Sequence, residues 1–309
     1  MLDARQLEAL AAVLEYGGFG PAAQALNLTL AAISLRIKGL EAAMGQRLLV
    51  RGKTVRATPA GQALLAHIKQ LRMMEADLLG GLPATRGAKG SAPAWQTLGV
   101  AVNADSLASW LLPGVAASLA RHRLLLDVVI DDQDHTHEAL KNGDVVGCVS
   151  TLAQPMRGCL AEPLGVMRYR CVAAPALAQQ CRTKTGAVSV HRLLATPAII
   201  FNRKDGLQDA FLAQHFALTA PQYPRHFVPA VDAYDSALAH GMGWGMVPDQ
   251  FLVHREGRLP LEELLPGSAV EVALYWHHWE REPLVAQRLT GAVKGAAGGG
   301  LGLTLELSR

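Results

Sequence analysis

Several features that would place the chain outside the cytoplasm are missing from its 309 residues. There is no run of about eighteen apolar residues, the length that a helix needs to cross a bilayer, and the first residues carry no basic flank or cleavage site. Aromatic residues make up only 5% of the chain, and its four cysteines show no Cys-x-x-Cys spacing. We therefore expect an unexported cytoplasmic protein with free thiols, no membrane partner, no disulfide framework and no structural zinc.

Excess positive charge is confined to one stretch of the chain. The first 80 residues contain nine Lys or Arg against six Asp or Glu, which accounts for the whole net charge of +3. Between residues 36 and 56, six basic residues stand against one acidic residue. Such a cluster is typical of phosphate contacts to nucleic acid, although a solvated protein face has the same composition.

Residues 20–44 have the pattern of two helices joined by a short turn. An Ala-rich segment is followed by a three-residue turn, and Thr29 is placed to cap the second helix with its hydroxyl. In that helix Ile33, Ile37 and Leu40 fall on one apolar stripe. The opposite face, with small side chains, suits the major groove of DNA, while a plain three-helix packing unit is the alternative.

A wing and a long helix are predicted next. After Gly45 ends the second helix, two short β segments flank residues 51–53 and present basic side chains to backbone phosphates. Pro59 opens a helix over 59–79 whose surplus apolar surface predicts self-association. The DNA-binding candidates are Thr29, Leu30, Ala31, Ser34, Leu35, Arg36, Lys38, Arg51, Lys53 and Arg56.

The remainder of the chain reads as a second domain of a different class. Residues 80–93 are rich in Gly, Ala, Pro and Ser, which predicts a flexible linker. Beyond it, strands and helices alternate, which indicates an α/β domain over 94–296 with mainly parallel strands. The tail 297–309 is Gly-rich, and we expect it to be poorly ordered.

Ligands of α/β sheets bind where loops leave the carboxyl ends of strands, and polar residues occur at several such points. The residues 103–106 open a helix whose free N–H groups suit the carboxylate of an amino acid, although a plain helix cap has the same sequence. The segment 131–137 (DDQDHTH) resembles a metal cluster, but His135 and His137 point apart on a helix, so we favour an acidic partner for a cationic ligand. The effector-binding candidates are Asn103, Ala104, Asp105, Ser106, Asp131, Asp132, Thr151, Phe201, Asp205 and Asp232.

The order of these elements over the whole chain resembles the LysR-type transcriptional regulators. The segments GQRLLVR (45–51), AVNADSLASWLLP (101–113), VVGCVS (145–150) and ALYWHHW (273–279) are similar to the ArgP/LysG subfamily, whose members sense basic amino acids. The resemblance implies an N-terminal, mainly α winged helix-turn-helix domain (1–58) with a long linker helix, followed by a two-lobed α/β effector domain like the type 2 periplasmic binding proteins. It also implies a cytoplasmic homodimer or homotetramer that contacts RNA polymerase and has neither a cofactor nor catalytic activity.

One departure from the family pattern concerns the recognition helix. Its first residues commonly read T-Q-S/P-A-V-S followed by a polar residue, whereas this chain has Leu30 and Leu35 at the positions of polar side chains. Leucine cannot make the bidentate amide contacts to bases that glutamine makes. We therefore expect binding that rests on phosphates and thymine methyl groups.

These patterns together predict a DNA-binding regulator that responds to L-lysine or L-arginine and controls genes of amino-acid export or metabolism. A LysR-type regulator with a different effector is the nearest alternative. A metal-dependent enzyme is disfavoured because no nucleophile, base and orienting group occur at motif spacing. A solute-binding protein is disfavoured by the basic N-terminal domain and by the missing export signal.

Overall fold

A computed structural model of the protein describes residues 2–50, 52, 54–81, 95–130, 133–253 and 257–302, with the backbone alone for 79–81 and 133–135. The N-terminal part is helical and carries a small hairpin, and the rest is an α/β structure. The elements of the first part are α1 (Ala4–Glu15), α2 (Phe19–Ala25), α3 (Leu30–Met44), β1 (Leu49–Val50), β2 (Arg56–Ala57) and α4 (Pro59–Gly81).

Local capping fixes where the first helices begin and end. The Asp3 carboxylate accepts a hydrogen bond from the Arg5 N–H at 2.8 Å, and Thr29 Oγ1 accepts one from the Ala32 N–H at 3.1 Å. Gly45 ends α3 with a φ of 67°, a left-handed conformation that glycine adopts without strain. The predicted caps and the predicted end of the second helix are confirmed.

The apolar stripe of α3 forms the centre of the first core. Ile33, Ile37 and Leu40 are fully buried, as predicted, and belong to one cluster with Leu10 of α1 and Leu64 of α4. The β1 and β2 strands pair antiparallel beside this cluster. The helix-turn-helix and its wing are therefore one packed unit that includes the start of the long helix.

The long helix α4 also contacts the second part of its own chain. Lys69 Nζ lies 2.6 Å from Asp144 Oδ1, and Asp77 Oδ2 accepts a hydrogen bond from the Val285 N–H at 3.1 Å. A helix predicted to mediate self-association is thus already packed against an α/β domain.

The second part alternates strands and helices. Its strands are β3 (Gln96–Val102), β4 (Leu124–Ile130), β5 (Gly147–Ser150), β6 (Cys159–Ala173), β7 (Ala198–Ile200), β8 (Arg225–Phe227), β9 (Gly245–Pro248), β10 (Glu262–Glu263) and β11 (Val270–Trp279). Its helices are α5 (Ala104–Ser106), α6 (Leu112–His122), α7 (Gln133–Lys141), α8 (Pro175–Gln180), α9 (Val190–Ala195), α10 (Leu207–Phe216), α11 (Val231–Ala239), α12 (Asp249–Val253) and α13 (Leu284–Gly300). A π-helical turn, Leu107–Leu111, joins α5 to α6.

The main sheet has the strand order β10-β6-β11-β5-β3-β4, with β9 also paired to β6. The prediction of mainly parallel strands is wrong for this sheet. The pairs of β3 with β4 and with β5 are parallel, but β6 pairs antiparallel with β9, β10 and β11, and β11 pairs antiparallel with β5. The sequence did not reveal the length of β6, because its first ten residues include Glu162, Pro163, Gly165 and Arg168. An apolar run that predicts a strand occurs only at its end.

The long strands β6 and β11 connect two lobes. We call β3, β4, β5, α5, α6, α7 and α13 the first lobe, and β7, β8, β9, α10 and α11 the second lobe. The last helix, α13, continues to Gly300, past the predicted start of the tail at 297, and Gln250 Nε2 donates to the Gly300 carbonyl at 2.7 Å. Residues 303–309 of that tail and residues 82–93 of the predicted linker lie outside the described residues. Nowhere in the described ranges is a helix long and apolar enough to cross a membrane.

Candidate functional site

The outward face of α3 is nearly uncharged. Leu30 and Leu35 are exposed, with 73% of the Leu35 surface accessible to solvent. Thr29, Ala31 and Lys38 are also exposed, and Ser34 is half-buried between them. This face offers methyl groups, a hydroxyl and one ammonium to a DNA groove.

Two charged residues near this face have partners inside the protein. Arg36 is half-buried, and its Nη1 lies 3.9 Å from Glu8 Oε2 on α1. Glu41, the only acid between residues 36 and 56, accepts hydrogen bonds from the N–H groups of Leu48 at 2.9 Å and Leu49 at 3.3 Å. The Glu41 carboxylate therefore fastens the wing to α3, while Lys38, Arg47 and Arg56 of the basic cluster are exposed to solvent.

Of the DNA-binding residues predicted in the wing, the structure describes one. Arg56 on β2 is exposed, whereas the predicted phosphate contacts Arg51 and Lys53 lie outside the described residues. Thr58 Oγ1 donates to the Arg47 carbonyl at 2.8 Å, which ties the end of the hairpin to its beginning.

A cleft lies between α5, which follows β3 in the first lobe, and the second lobe. The space at its centre measures about 20 Å³, room for little more than one water molecule. This space is too small for an amino acid in the present arrangement of the lobes. The cleft is lined by Asp105, Phe201, Asp205, Leu207, Val231, Tyr234, Asp235, Met246, Val247, Pro248 and Phe251.

Asp105 is the carboxylate that the first lobe contributes to this cleft. Tyr169 donates its hydroxyl to Asp105 Oδ2 at 2.9 Å. Burial raises the pKa of the Asp105 carboxyl to about 6, the Tyr169 hydrogen bond opposes that rise, and the negative charge of Asp205 adds to it. Two carboxylates thus share one buried space.

Asp205 is held by the backbone of its own loop. Its Oδ2 accepts from the Phe201 N–H at 3.2 Å and its Oδ1 from the Leu207 N–H at 3.0 Å. Burial raises the pKa of this carboxyl, and the two backbone hydrogen bonds oppose the rise. Among the described residues that line the cleft there is no Lys or Arg, so its chemistry favours a cationic ligand.

Comparison with family models identifies both parts of the chain. Residues 4–62 match the model of the bacterial regulatory helix-turn-helix protein, lysR family, and residues 96–298 match the LysR substrate binding domain. The chain belongs to the LysR family of bacterial transcriptional regulators.

Relatives of this LysR-family chain carry the names that its sequence predicts. The HTH-type transcriptional regulator ArgP of Pseudomonas aeruginosa is 39% identical over 301 residues, covering 97% of this chain and 98% of the relative. LysG of Mycobacterium tuberculosis is 37% identical over 305 residues, covering 96% and 94%. The predicted resemblance to the ArgP/LysG subfamily is confirmed.

Solved structures agree with these relatives. A crystal structure of ArgP from Mycobacterium tuberculosis matches with a TM-score of 0.86 at 37% identity, covering 99% of this chain and all of that one. Full-length LysG from Corynebacterium glutamicum with bound effector Arg matches with a TM-score of 0.81 at 28% identity, covering 97% and 99%. The predicted winged helix-turn-helix and two-lobed effector domain are the fold of this LysR-family protein.

The structure brings only some of the predicted effector residues to the cleft. Asp105, Phe201 and Asp205 line it. Asn103, Ala104 and Ser106 lie in the same turn as Asp105, and Ala104 is half-buried. The buried Ser106 Oγ and Asn103 Oδ1 make no hydrogen bond to any described residue. Thr151 does not line the cleft, and Asp131 and Asp132 lie outside the described residues.

Asp232 does not line the cleft, and Asp235 lines it in place of the predicted Asp232. The Asp232 side chain is 95% exposed, whereas Val231, Tyr234 and Asp235 line the cleft. A helix puts residues three and four apart on one face, so once Val231 faces the cleft, Asp232 does not. Helical spacing therefore places Asp235, four residues after Val231, on the face that lines the cleft, and this spacing is the signal in the sequence that could have identified it.

Proposed function

We propose that this LysR-family regulator binds promoter DNA through α3 and the wing, and that L-arginine or L-lysine in the cleft controls its promoter binding or activation. The acidic cleft carries the proposal, because Asp105, Asp205 and Asp235 line one buried space without a Lys or Arg among its lining residues. The arginine bound to LysG of Corynebacterium glutamicum supports the same ligand class. The regulated genes would serve export or metabolism of basic amino acids.

In this proposal the ligand has to separate the lobes in order to enter and then hold them in a new arrangement. Such a ligand shifts the protein toward that arrangement only by binding it more tightly. Backbone N–H groups of residues 103–106, where α5 begins, would take the α-carboxylate, and the cleft aspartates would take the cationic groups. The regulator would act as a homodimer or homotetramer through α4 and the effector domain, contact RNA polymerase, and catalyse no reaction.

Calorimetric titration of the full-length protein tests the effector. We expect L-arginine and L-lysine to bind at least about tenfold more tightly than L-citrulline and L-norleucine, neutral compounds of matching length, because a hydrogen bond to a charged group contributes about 1.5 to 3 kcal/mol. Equal affinity for arginine and citrulline would refute a role for the carboxylates and leave DNA binding untouched.

The DNA-binding face makes a separate prediction. Arg56→Ala should weaken binding to all sequences alike and reduce the salt dependence by about one unit of slope, since Arg56 is exposed on the wing. Leu35→Gln should change the preferred sequence, because an amide adds about 1 to 3 kcal/mol of base discrimination. Titration of labelled DNA at several salt concentrations measures the effect of Arg56→Ala. Selection from a randomised DNA pool measures the effect of Leu35→Gln, with Leu35→Ala as the control. An unchanged preference with Leu35→Gln would mean that α3 does not face the bases.

A further inference from the structure

Asp235 differs from the other two cleft carboxylates because a guanidinium lies against it. Its Oδ2 is 3.4 Å from Arg258 Nη1, and the Asp235 side chain is only 13% exposed. The hydrogen bonds described for the carboxylates of Asp105 and Asp205 come from a tyrosine hydroxyl and from backbone N–H groups. Of the ion pairs between described residues, the pair with Arg258 is the one that joins a cleft carboxylate to a cation.

Arg258 is placed so that it can leave this contact. Its side chain is 48% exposed, and its Nη2 lies 3.9 Å from Asp232 Oδ1, which is 95% exposed. Releasing Asp235 therefore moves the guanidinium toward solvent and a neighbouring carboxylate rather than into an apolar site. A partly exposed ion pair of this kind is weak, so a ligand can displace it.

We infer that Arg258 is an internal competitor for Asp235: its guanidinium occupies the carboxylate until a cationic effector displaces it, and it thereby sets the affinity of the cleft for cations. This inference rests on the proposed function. The side chain carries the same guanidinium as free arginine, and Asp232 holds it after release. Binding that first has to break an internal contact is weakened by the fraction of time for which that contact is closed.

The competition has a defined selectivity. Arginine and lysine break the same internal pair, so Arg258 weakens both by the same factor. A neutral amino acid gains nothing from Asp235, so removing Arg258 does not improve its binding. Arg258 therefore raises the concentration at which the regulator responds without choosing between the two basic amino acids.

Calorimetric titration of full-length variants tests the inference. Arg258→Met keeps much of the aliphatic stem and removes the charge, and we expect its dissociation constants for L-arginine and L-lysine to fall about threefold to fivefold. Arg258→Lys keeps a cation at Asp235 and should bind like the wild type. The matched control is Arg168→Met, since Arg168 is 44% exposed and pairs with Glu271 at 2.8 Å outside the cleft. We expect no change in that control.

A second pair of variants separates competition from structural support. In an Asp235→Asn background, adding Arg258→Met should give no gain in affinity. Unchanged or weaker arginine binding by Arg258→Met, while the wild type binds arginine, would overturn the inference and leave the proposed function standing. An equal gain for L-citrulline would also overturn it. If neither the wild type nor any variant binds a basic amino acid, the proposed function and the inference both fail.

Discussion

Replacing Ile37 by alanine is expected to lower the free energy of unfolding of the N-terminal part by about 2 to 5 kcal/mol. Ile37 is fully buried on the inner face of α3, in one cluster with Ile33 and Leu40. The substitution removes apolar contacts and leaves a cavity that a small core closes only in part. Because the same helix carries the proposed DNA-binding face, DNA affinity should fall with the loss of folded protein.

Differential scanning calorimetry of the full-length chain measures this change. Leu35→Ala is the control, since Leu35 is on the same helix but 73% exposed, and its effect on stability should stay within about 0.5 kcal/mol. Equal destabilisation by the two substitutions would contradict the assignment of the inner and outer faces of α3.

Replacing Asp105 by asparagine is expected to lower the affinity for L-arginine by about thirtyfold or more. Loss of one partner from a buried charge pair costs about 2 to 5 kcal/mol. The amide keeps nearly the shape of the carboxyl group and leaves the Tyr169 hydroxyl within reach, so the protein should stay folded. Titration calorimetry gives the affinity. Asp127→Asn is the control, because Asp127 is exposed on β4, does not line the cleft and should change binding little.

The pH dependence of binding identifies the same carboxyl. Its pKa is raised to about 6 in the free protein, so it is mostly ionised at pH 7 and mostly protonated at pH 5. A cationic ligand binds the ionised form, and wild-type affinity should therefore fall by about tenfold between these values. Asp105→Asn should lose this part of the pH dependence. A wild-type affinity that stays constant from pH 7 to pH 5 would contradict the role of Asp105.

The N-terminal fold follows from short-range signals. Asp3, Thr29 and Gly45 fix the ends of two helices through contacts within a few residues, and the stripe of Ile33 and Ile37 sets which face is buried. Such features depend on local geometry and can be read from sequence. The role of Glu41 could not be read from the sequence, because its hydrogen bonds join α3 to a strand that begins after the helix has ended.

The effector domain depends on contacts between distant segments. The pairing of β6 with β11 joins residues more than about one hundred positions apart, and alternation in β6 is hidden by charged and Gly or Pro residues. The cleft brings Asp105 beside Asp205, and no local pattern gives that distance. Strand ends did identify both aspartates as candidates, while Arg258 was found only from its contact with Asp235.

The docking of α4 has a consequence for how a signal travels within one chain. Lys69 and Asp77 attach the helix to Asp144 and Val285, both in the half of the effector domain that also holds Asp105. The long helix thus links the helix-turn-helix directly to this half of the effector domain. We therefore expect an opening of the cleft that keeps these two contacts to move the half that carries Asp205 and Asp235 relative to the helix-turn-helix.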